Sequence, residues 1–209
     1  MGAADYWDRL ADEKTFTHPL NAGWLRAEVR PQDRILDFGC GYGRLVGELA
    51  ALGYLNAVGV DRSAAMIGRG RRERPELDLR VVENTAPFAD ATFDLVLLFA
   101  VLTCIVDDGE QEAVIAETAR LLRAGGLLYL SDMPLQPDAR NRVRYDAGAA
   151  GLGAYGVFET GDGGVLRHHP PERFAALLAG FDILERQTIA VTTMNGNPAA
   201  ALQVLARRP

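Results

Sequence analysis

The sequence has few of the residues that build disulfide frameworks, metal centres or membrane spans. Its 209 residues include two cysteines, Cys40 and Cys104, and neither belongs to a CxxC or Cys/His pairing, so we expect reduced thiols and no metal site. No apolar run reaches the ~20 residues that a membrane span requires, and the first residues lack the regions of a signal peptide. The composition therefore predicts a cytoplasmic protein with no membrane partner.

The sequence also has no excess of basic residues. The net charge is −6, and Lys14 is the only lysine, so the chain lacks the basic field that attracts nucleic-acid phosphates. One local cluster, Arg69, Arg71, Arg72 and Arg74, ends a predicted helix, where solvated cations interact favourably with the helix dipole. We therefore expect no nucleic-acid partner and a solvent-facing arginine cluster.

Apolar runs alternate with segments of helical period through the middle of the chain. This alternation predicts a parallel sheet with helices on both faces, built from five consecutive βα units. The predicted strands are residues 34–38, 57–61, 79–83, 93–99 and 126–132. Ser63 is a candidate N-cap, and residues 110–122 are expected to form an amphipathic helix.

The two ends of the chain have a different character. A polar leader with scattered aromatic residues occupies residues 1–31, and residues 133–169 contain seven glycines and no clean helical period, which is typical of an insertion or lid. A helix at 171–179 and two strands at 183–191 and 200–206 follow, joined by a turn-forming run. We expect one α/β domain over residues 1–209, a doubly wound sheet of seven strands that ends in an antiparallel hairpin.

The strongest chemical signal is a glycine-rich turn between the first strand and the next helix. Glycines at 39, 41 and 43 follow the spacing G-x-G-x-G, whereas the dinucleotide fingerprint G-x-G-x-x-G would need glycine at Arg44. Asp37 precedes this turn and would face a pyrophosphate unfavourably, but it suits a cationic ligand. Asp61 ends the second strand, where a carboxylate can accept both hydroxyls of a ribose.

Further motifs follow in order along the chain. The sequence ENTAPF at 83–88 precedes a Phe-Asp pair at 93–94, and RAGG at 123–126 precedes the fifth strand. Together with the glycine turn, these motifs resemble those of the class I S-adenosylmethionine (SAM)-dependent methyltransferases, over roughly residues 33–132. Asn84 stands where many members have Asp, and Ala124 replaces the family's proline.

This resemblance implies a Rossmann-like fold, SAM as the methyl donor, S-adenosylhomocysteine as the product, and a set of contacts to the donor. Asn84 and Thr85 would lie beside the adenine, and Phe99 and Ala100 would bring carbonyl groups towards the methionine amino group. The implied cofactor-binding residues are Asp37, Gly39, Gly41, Gly43, Asp61, Arg62, Met66, Asn84, Thr85 and Phe99.

The methyl acceptor has no comparable motif, and position alone suggests a small molecule. An alcohol, phenol or protonated amine acceptor needs a general base, most often histidine. The candidate catalytic residues are His18 in the leader and His168 and His169 in the insertion, although ordinary packing or a solvent-facing turn explains each equally well. Arginines 140, 142 and 144 with Tyr145 are either an anion site or solvated.

Two other functions fit parts of the same pattern. A SAM-binding regulator or non-methylating enzyme would keep Asp37, Gly39 and Asp61 and differ only in the acceptor pocket. An NAD-dependent oxidoreductase would share Asp61 but not the glycine spacing.

Overall fold

The computed structural model describes residues 3–83 and 86–209. Nine strands are formed in these residues. They are β1 (Ile35–Phe38), β2 (Ala57–Asp61), β3 (Asp78–Val81), β4 (Phe93–Phe99), β5 (Leu122–Asp132), β6 (Val157–Glu159), β7 (Val165–Arg167), β8 (Asp182–Thr192) and β9 (Pro198–Arg207). The chain also forms the helices α1 (Ala3–Arg9), α2 (Ala22–Glu28), α3 (Arg44–Ala51), α4 (Ala64–Glu73), α5 (Asp108–Leu121), α6 (Ala139–Leu152) and α7 (Pro171–Leu177).

One mixed sheet of seven strands organises the molecule. Its order is β3-β2-β1-β4-β5-β9-β8; β1 to β5 are parallel, and β9 and β8 run antiparallel at one edge. The strand order reverses at β1, so the crevice at the carboxyl ends of β1 and β4 is the place where such sheets bind ligands. The predicted seven-stranded, doubly wound sheet with a terminal hairpin is confirmed.

Helices cover both faces of the sheet, and neighbouring residues of each strand point into the cores on opposite sides. Leu36 belongs to a core cluster with Ile115 of α5 and Phe174 of α7. Ile35, the preceding residue, belongs to a second cluster with Leu25 of α2 and the side chains of α3. Two cores on opposite faces therefore fix β1, and with it the turn that leaves its carboxyl end.

The insertion at 133–169 differs from its sequence-based description. It contains the 14-residue helix α6, and Asp138 caps this helix by accepting a hydrogen bond from Asn141 N at 3.0 Å. The apolar stripe of α6 is weak because its buried face contains Asn141, Tyr145 and Gly148. A Cβ at Gly148 would lie 1.7 Å from the Val157 carbonyl oxygen, so this glycine allows α6 to lie directly against β6.

The five expected βα units are reduced to four. The described part of the connection between β3 and β4 contains no helix, and Asn84 and Thr85 lie outside the described residues. Ser63 is the N-cap of α4, accepting a hydrogen bond from Met66 N at 3.1 Å, as expected. None of the helices in the described residues has the length and apolar character that crossing a membrane requires.

The arginine cluster at the end of α4 does not simply face solvent. Arg69 donates hydrogen bonds to the carbonyl oxygens of Ala11 at 2.9 Å and Lys14 at 2.8 Å, and its guanidinium lies 4.0 Å from the centre of the Tyr42 ring. The expectation of a solvated cluster is therefore wrong for Arg69. The first helix of the leader ends at Arg9, and backbone carbonyl groups beyond it need hydrogen-bond donors, which Arg69 supplies.

Candidate active site

A cavity of about 780 Å³ opens at the carboxyl edge of β1, β2 and β4. Ligand sites typically enclose roughly 300–1,000 Å³, so this cavity has room for a large ligand or for two smaller ones. The sequence-predicted residues that line it are Asp37, Gly39, Gly41, Asp61, Arg62, Met66, Phe99 and Ala100, together with His18 and His168. The structure thus brings most of the proposed cofactor residues and two of the three histidines to one cavity.

The glycine turn after β1 forms one wall. Gly39 and Gly41 have φ angles of 80° and 55°, a region that L side chains rarely adopt. A Cβ on Gly41 would lie 2.3 Å from Cε2 of Phe16, so the leader packs directly on the turn. Gly43 does not line the cavity, because it precedes α3 and packs against Leu79 of β3.

Asp37 and Arg44 carry opposite charges in the same wall, and each has one buried polar atom without a hydrogen-bond partner among the described residues. Asp37 is 1% exposed, and its Oδ2 has no hydrogen-bond partner among the described residues. Burial raises the pKa of Asp37 to about 7, although the Arg44 charge opposes this shift. Nε of Arg44 is likewise buried without a partner. An ammonium beside Asp37 and a carboxylate beside Arg44 would satisfy both atoms, which is the charge pattern of the methionine part of SAM.

Asp61 is positioned by the backbone around it. Its carboxylate accepts hydrogen bonds from Gly41 N and Ser63 N, both at 2.8 Å, and burial raises its pKa. Each carboxylate oxygen accepts one of these bonds and has a further lone pair, as ribose hydroxyls would require. Arg62 and Met66 line the cavity beside Asp61, whereas the predicted adenine contacts Asn84 and Thr85 lie outside the described residues.

The backbone after β4 has an uncommon conformation. Ala100 has a φ of 54°, and its N–H donates to the Ser131 carbonyl oxygen at 2.7 Å. A non-glycine residue in this region is strained and persists only where its surroundings fix it. Asp132 contributes to this support: it accepts hydrogen bonds from the backbone N–H groups of Leu102 and Thr103, and burial raises its pKa to about 7.

His18 borders the cavity from the leader. Its Nδ1 lies 2.9 Å from Oγ of Ser131, a fully buried residue of β5, and Arg44 Nη2 donates to its carbonyl oxygen at 2.5 Å. Burial, with the nearby Arg44 charge, lowers the pKa of His18 to about 4. The imidazole is therefore neutral at neutral pH.

His168 borders the same cavity from the insertion. Its Nδ1 lies 2.6 Å from the hydroxyl oxygen of Tyr145, and Phe158 packs edge-on against its ring at 4.9 Å. Burial lowers the pKa of His168 to about 3, and Arg144 adds to the effect. Tyr145 is fully buried and supports His168, and none of arginines 140, 142 and 144 lines the cavity.

His169 lies on the other side of the same segment. It is fully buried, its Nε2 lies 2.8 Å from Nε2 of Gln111, and its ring packs against Phe174 at 5.4 Å. It is absent from the cavity wall. Adjacent residues of an extended segment point in opposite directions, which explains why only one histidine of the pair reaches the cavity.

Three segments that are distant in sequence meet above the cavity. Nζ of Lys14 in the leader bonds to Oδ2 of Asp162 in the insertion and lies 2.7 Å from Oδ1 of Asn195 in the turn between β8 and β9. The Tyr6 hydroxyl donates to Asp162 at 2.9 Å, and Thr17 bonds to the Thr192 carbonyl oxygen. We call these segments, residues 5–18, 157–168 and 192–197, the cover. Sequence reasoning missed Ser131, Asp132 and Asp162, because no local motif marks them.

Part of the chain matches the model of a known protein family. Residues 36–130 match the family model described as a methyltransferase domain. The chain is 29% identical over 144 residues to the eEF1A lysine and N-terminal methyltransferase of Bos taurus, covering 60% of this chain and 21% of that protein. It is 33% identical over 150 residues to the 27-O-demethylrifamycin SV methyltransferase of Amycolatopsis mediterranei, covering 63% and 51%.

A solved structure extends the match to the fold as a whole. The structure of a SAM-dependent methyltransferase from Methanosarcina mazei superimposes with a TM-score of 0.83 at 24% identity, covering 88% of this chain and 96% of that one. The chain spans about a fifth of the length of the first curated relative and about half of the second. The motifs, the sheet and these matches agree: residues 36–130 match a methyltransferase domain, and the chain has the Rossmann-like class I fold of the SAM-dependent methyltransferases.

Proposed function

We propose that this protein is a cytoplasmic enzyme that transfers a methyl group from SAM to a small-molecule acceptor, with His18 as the general base. The observation that carries the proposal is a single cavity that contains both the donor residues Asp37 and Asp61 and an uncharged histidine from the leader. When bound, SAM supplies the methyl group: its S–C bond breaks with the electron pair passing to sulfur, while a bond forms between the methyl carbon and the nucleophilic atom of the acceptor.

The residues of the first two strand ends bind and orient the donor in this proposal. Asp37 neutralises the methionine ammonium, Arg44 the carboxylate, and Asp61 accepts the ribose hydroxyls. Gly39 and Gly41 let the backbone approach the donor without a Cβ. Fixing the donor in one orientation raises the rate because most of the entropy of alignment is lost on binding rather than in the reaction.

His18 receives the proton that the acceptor loses. This role places the ring proton of neutral His18 on Nδ1, where it is donated to Ser131 Oγ, and leaves Nε2 to accept. Its lowered pKa keeps the ring unprotonated at neutral pH, although it also makes His18 a weak base. His168, held by Tyr145, is a second candidate from the opposite part of the wall.

The cover supports a small acceptor rather than a protein. Phe16 stacks on Tyr42 with ring centres 5.3 Å apart, Trp7 packs edge-on against Phe16 at 5.8 Å, and Lys14 ties the leader to the insertion. These contacts enclose the cavity from above, which suits a ligand that enters whole. A protein side chain is the second candidate acceptor, favoured by the similarity to the eEF1A methyltransferase.

Two measurements test the proposal. Calorimetric titration with SAM and, separately, with NADH should show binding of SAM only. Binding of NADH alone would favour an NAD-dependent oxidoreductase. Incubation with SAM and a panel of phenols, alcohols, amines and unmethylated eEF1A should then release S-adenosylhomocysteine with a small molecule. SAM binding without turnover across the whole panel would favour a non-methylating SAM-binding protein, and turnover with eEF1A alone would favour the protein acceptor.

A further inference from the structure

Charge is distributed unevenly around the cavity. Five charged residues line it at the carboxyl ends of the first three strands, namely Asp37, Arg44, Asp61, Arg62 and Glu83. The function proposed above assigns this part of the wall to the donor. We call it the donor half.

The remaining charged lining residues lie on one face of α5. They are Glu110, which is exposed at the N-terminal end of the helix, and Glu117 and Arg120, which lie further along it. Glu117 accepts a hydrogen bond from Ala86 N at 3.2 Å, and Arg120 donates to the Phe88 carbonyl oxygen at 3.0 Å. Glu117 and Arg120 therefore lie beside the segment after β3, and we assign them to the donor half.

The rest of the wall comes from the cover and from the residues that follow β4 and β5. We call this part the acceptor half. Apart from the exposed Glu110, no carboxylate, guanidinium or ammonium group of the described residues lines it. Its apolar and neutral side chains include Met133, Leu166, Thr193 and Met194, whereas Trp7 and Phe16 pack against Met66 and the glycine turn.

The two histidines of the acceptor half add no charge at neutral pH. Burial lowers the pKa of His18 to about 4 and that of His168 to about 3. Each Nδ1 is within hydrogen-bond distance of a buried hydroxyl, Ser131 Oγ for His18 and the Tyr145 hydroxyl for His168. The histidines thus contribute two oriented polar groups to an otherwise apolar surface.

Charged residues close behind the acceptor half are engaged with one another. Arg167, next to both Leu166 and His168, donates to the Val106 carbonyl oxygen at 2.6 Å and to Asp108 at 2.7 Å. Lys14 pairs with Asp162. Arg44 stands at the boundary of the two halves, where it bonds to Glu48 at 2.6 Å and to the His18 carbonyl oxygen. Arg44 is assigned to the donor carboxylate, and Arg144, which stacks on the Phe158 ring at 3.5 Å, does not line the cavity, so none of these cations faces an acidic acceptor.

From this segregation of charge we infer that the acceptor half binds an uncharged, predominantly apolar small molecule that presents its hydrogen-bonding groups to His18 and His168. An ionised acceptor would lose its hydration without gaining a buried partner of opposite charge, and burying an unpaired charge is costly. The inference rests on the proposed function, because that function places the donor in the charged half.

Three probes of the same size and shape test this inference by binding alone. The protein is saturated with S-adenosylhomocysteine and titrated at neutral pH with 2-naphthol, which is uncharged, with 2-naphthoate, an anion, and with 2-naphthylmethylamine, a cation. We expect 2-naphthol to bind at least tenfold more tightly than either ion. Equal or tighter binding of an ion, or no binding of 2-naphthol, would overturn the inference.

A charge introduced into the acceptor half sharpens the test. Leu166 is half-buried on β7 and lines the cavity, so Leu166→Arg places a cation in the acceptor half, and Leu166→Gln is the uncharged control. We expect Leu166→Arg alone to shift the preference at least tenfold towards 2-naphthoate. An unchanged preference in a variant that still binds S-adenosylhomocysteine would place Leu166 outside the acceptor site and contradict the inference.

The same titrations separate this inference from the proposed function. S-adenosylhomocysteine affinity is measured first, and methyl transfer is not part of the readout. Selective binding of 2-naphthol by a protein that methylates no acceptor would contradict the proposed function and support the inference. Methyl transfer to a charged acceptor, measured in a separate assay, would support the proposed function and contradict the inference.

Discussion

The donor half and the cover are built in different ways, although they enclose the same cavity. The donor half lies at the ends of adjacent parallel strands: Asp37 pairs in register with Gly59, and Asp61 pairs with Val81. Parallel pairing brings all strand carboxyl ends to one edge, so residues at these ends converge without further contacts. The cover instead depends on contacts between distant segments, such as Lys14 with Asp162 and Thr17 with Thr192.

The two regions also differ in how their charged groups affect the stability of the fold. The donor half contains the buried carboxylate of Asp37 with an unpartnered oxygen, which destabilises the fold when it is ionised. The cover contains partly exposed ion pairs and aromatic contacts, each of which contributes little. We expect substitutions in the donor half to change stability and SAM affinity, and substitutions in the cover to change turnover and access.

The largest effect is expected for Asp37→Asn, measured as stability against pH without SAM. Because the pKa of Asp37 is raised to about 7 in the folded protein, the folded state binds more protons than the unfolded state between about pH 4 and pH 7. The wild type therefore loses stability relative to Asp37→Asn as pH rises through this window, by roughly 2–4 kcal/mol.

Urea denaturation of both proteins at pH 5 and pH 8 measures this difference. Asp12→Asn, which removes an exposed carboxylate paired with Arg72, is the control for the loss of one negative charge. Parallel pH profiles for wild type and Asp37→Asn would contradict the buried-carboxylate account.

The next effect concerns the cover. His18→Asn removes the proposed base and keeps a polar side chain, so turnover should fall roughly 100-fold or more, as is usual for loss of general base catalysis. SAM affinity, measured by calorimetry, should stay within twofold, because His18 belongs to the acceptor half. His169→Asn is the matched control, since His169 does not line the cavity. Retained turnover in His18→Asn would make His18 a packing residue.

A smaller effect is expected for Asp61→Ala. Loss of the carboxylate should weaken SAM binding by more than tenfold, about 1.4 kcal/mol, because both ribose hydroxyls lose their acceptor. Asp90→Ala removes a carboxylate that pairs with Arg120 and does not line the cavity, and should leave the affinity unchanged. A melting temperature close to that of the wild type excludes unfolding, and wild-type affinity in Asp61→Ala would refute the ribose assignment.

The smallest effect is expected for Lys14→Met. The Lys14–Asp162 pair is partly exposed, with side chains 11% and 23% accessible, so its loss should cost about 1 kcal/mol or less. The leader should nevertheless be cleaved faster by a protease such as thermolysin, because it loses its contact with the insertion and with Asn195. Asp12→Ala, in the same leader but on an exposed pair, is the control. Equal cleavage of Lys14→Met and wild type would show that the aromatic contacts of Phe16 suffice.

Much of the donor half could be predicted from the sequence because its signals are local. Strand period, the G-x-G-x-G spacing and the acid at each strand end lie within short windows, and the parallel sheet brings them together. Gly43, a predicted cofactor residue, packs on Leu79 of β3 and does not line the cavity, and nothing in the spacing distinguishes it from Gly41. The helix α6 escaped prediction because polar and glycine residues occupy its buried face.

The sequence by itself determined the seven strands of the main sheet, the donor motifs and the three histidines that are available. Only the tertiary structure decided which of these histidines line the cavity and which is buried elsewhere. His168 and His169 are adjacent in an extended segment, so their side chains point to opposite sides, and no local pattern tells which side is the cavity. His18 meets Ser131 across 113 positions of sequence, a contact that exists only because the leader folds back over β5.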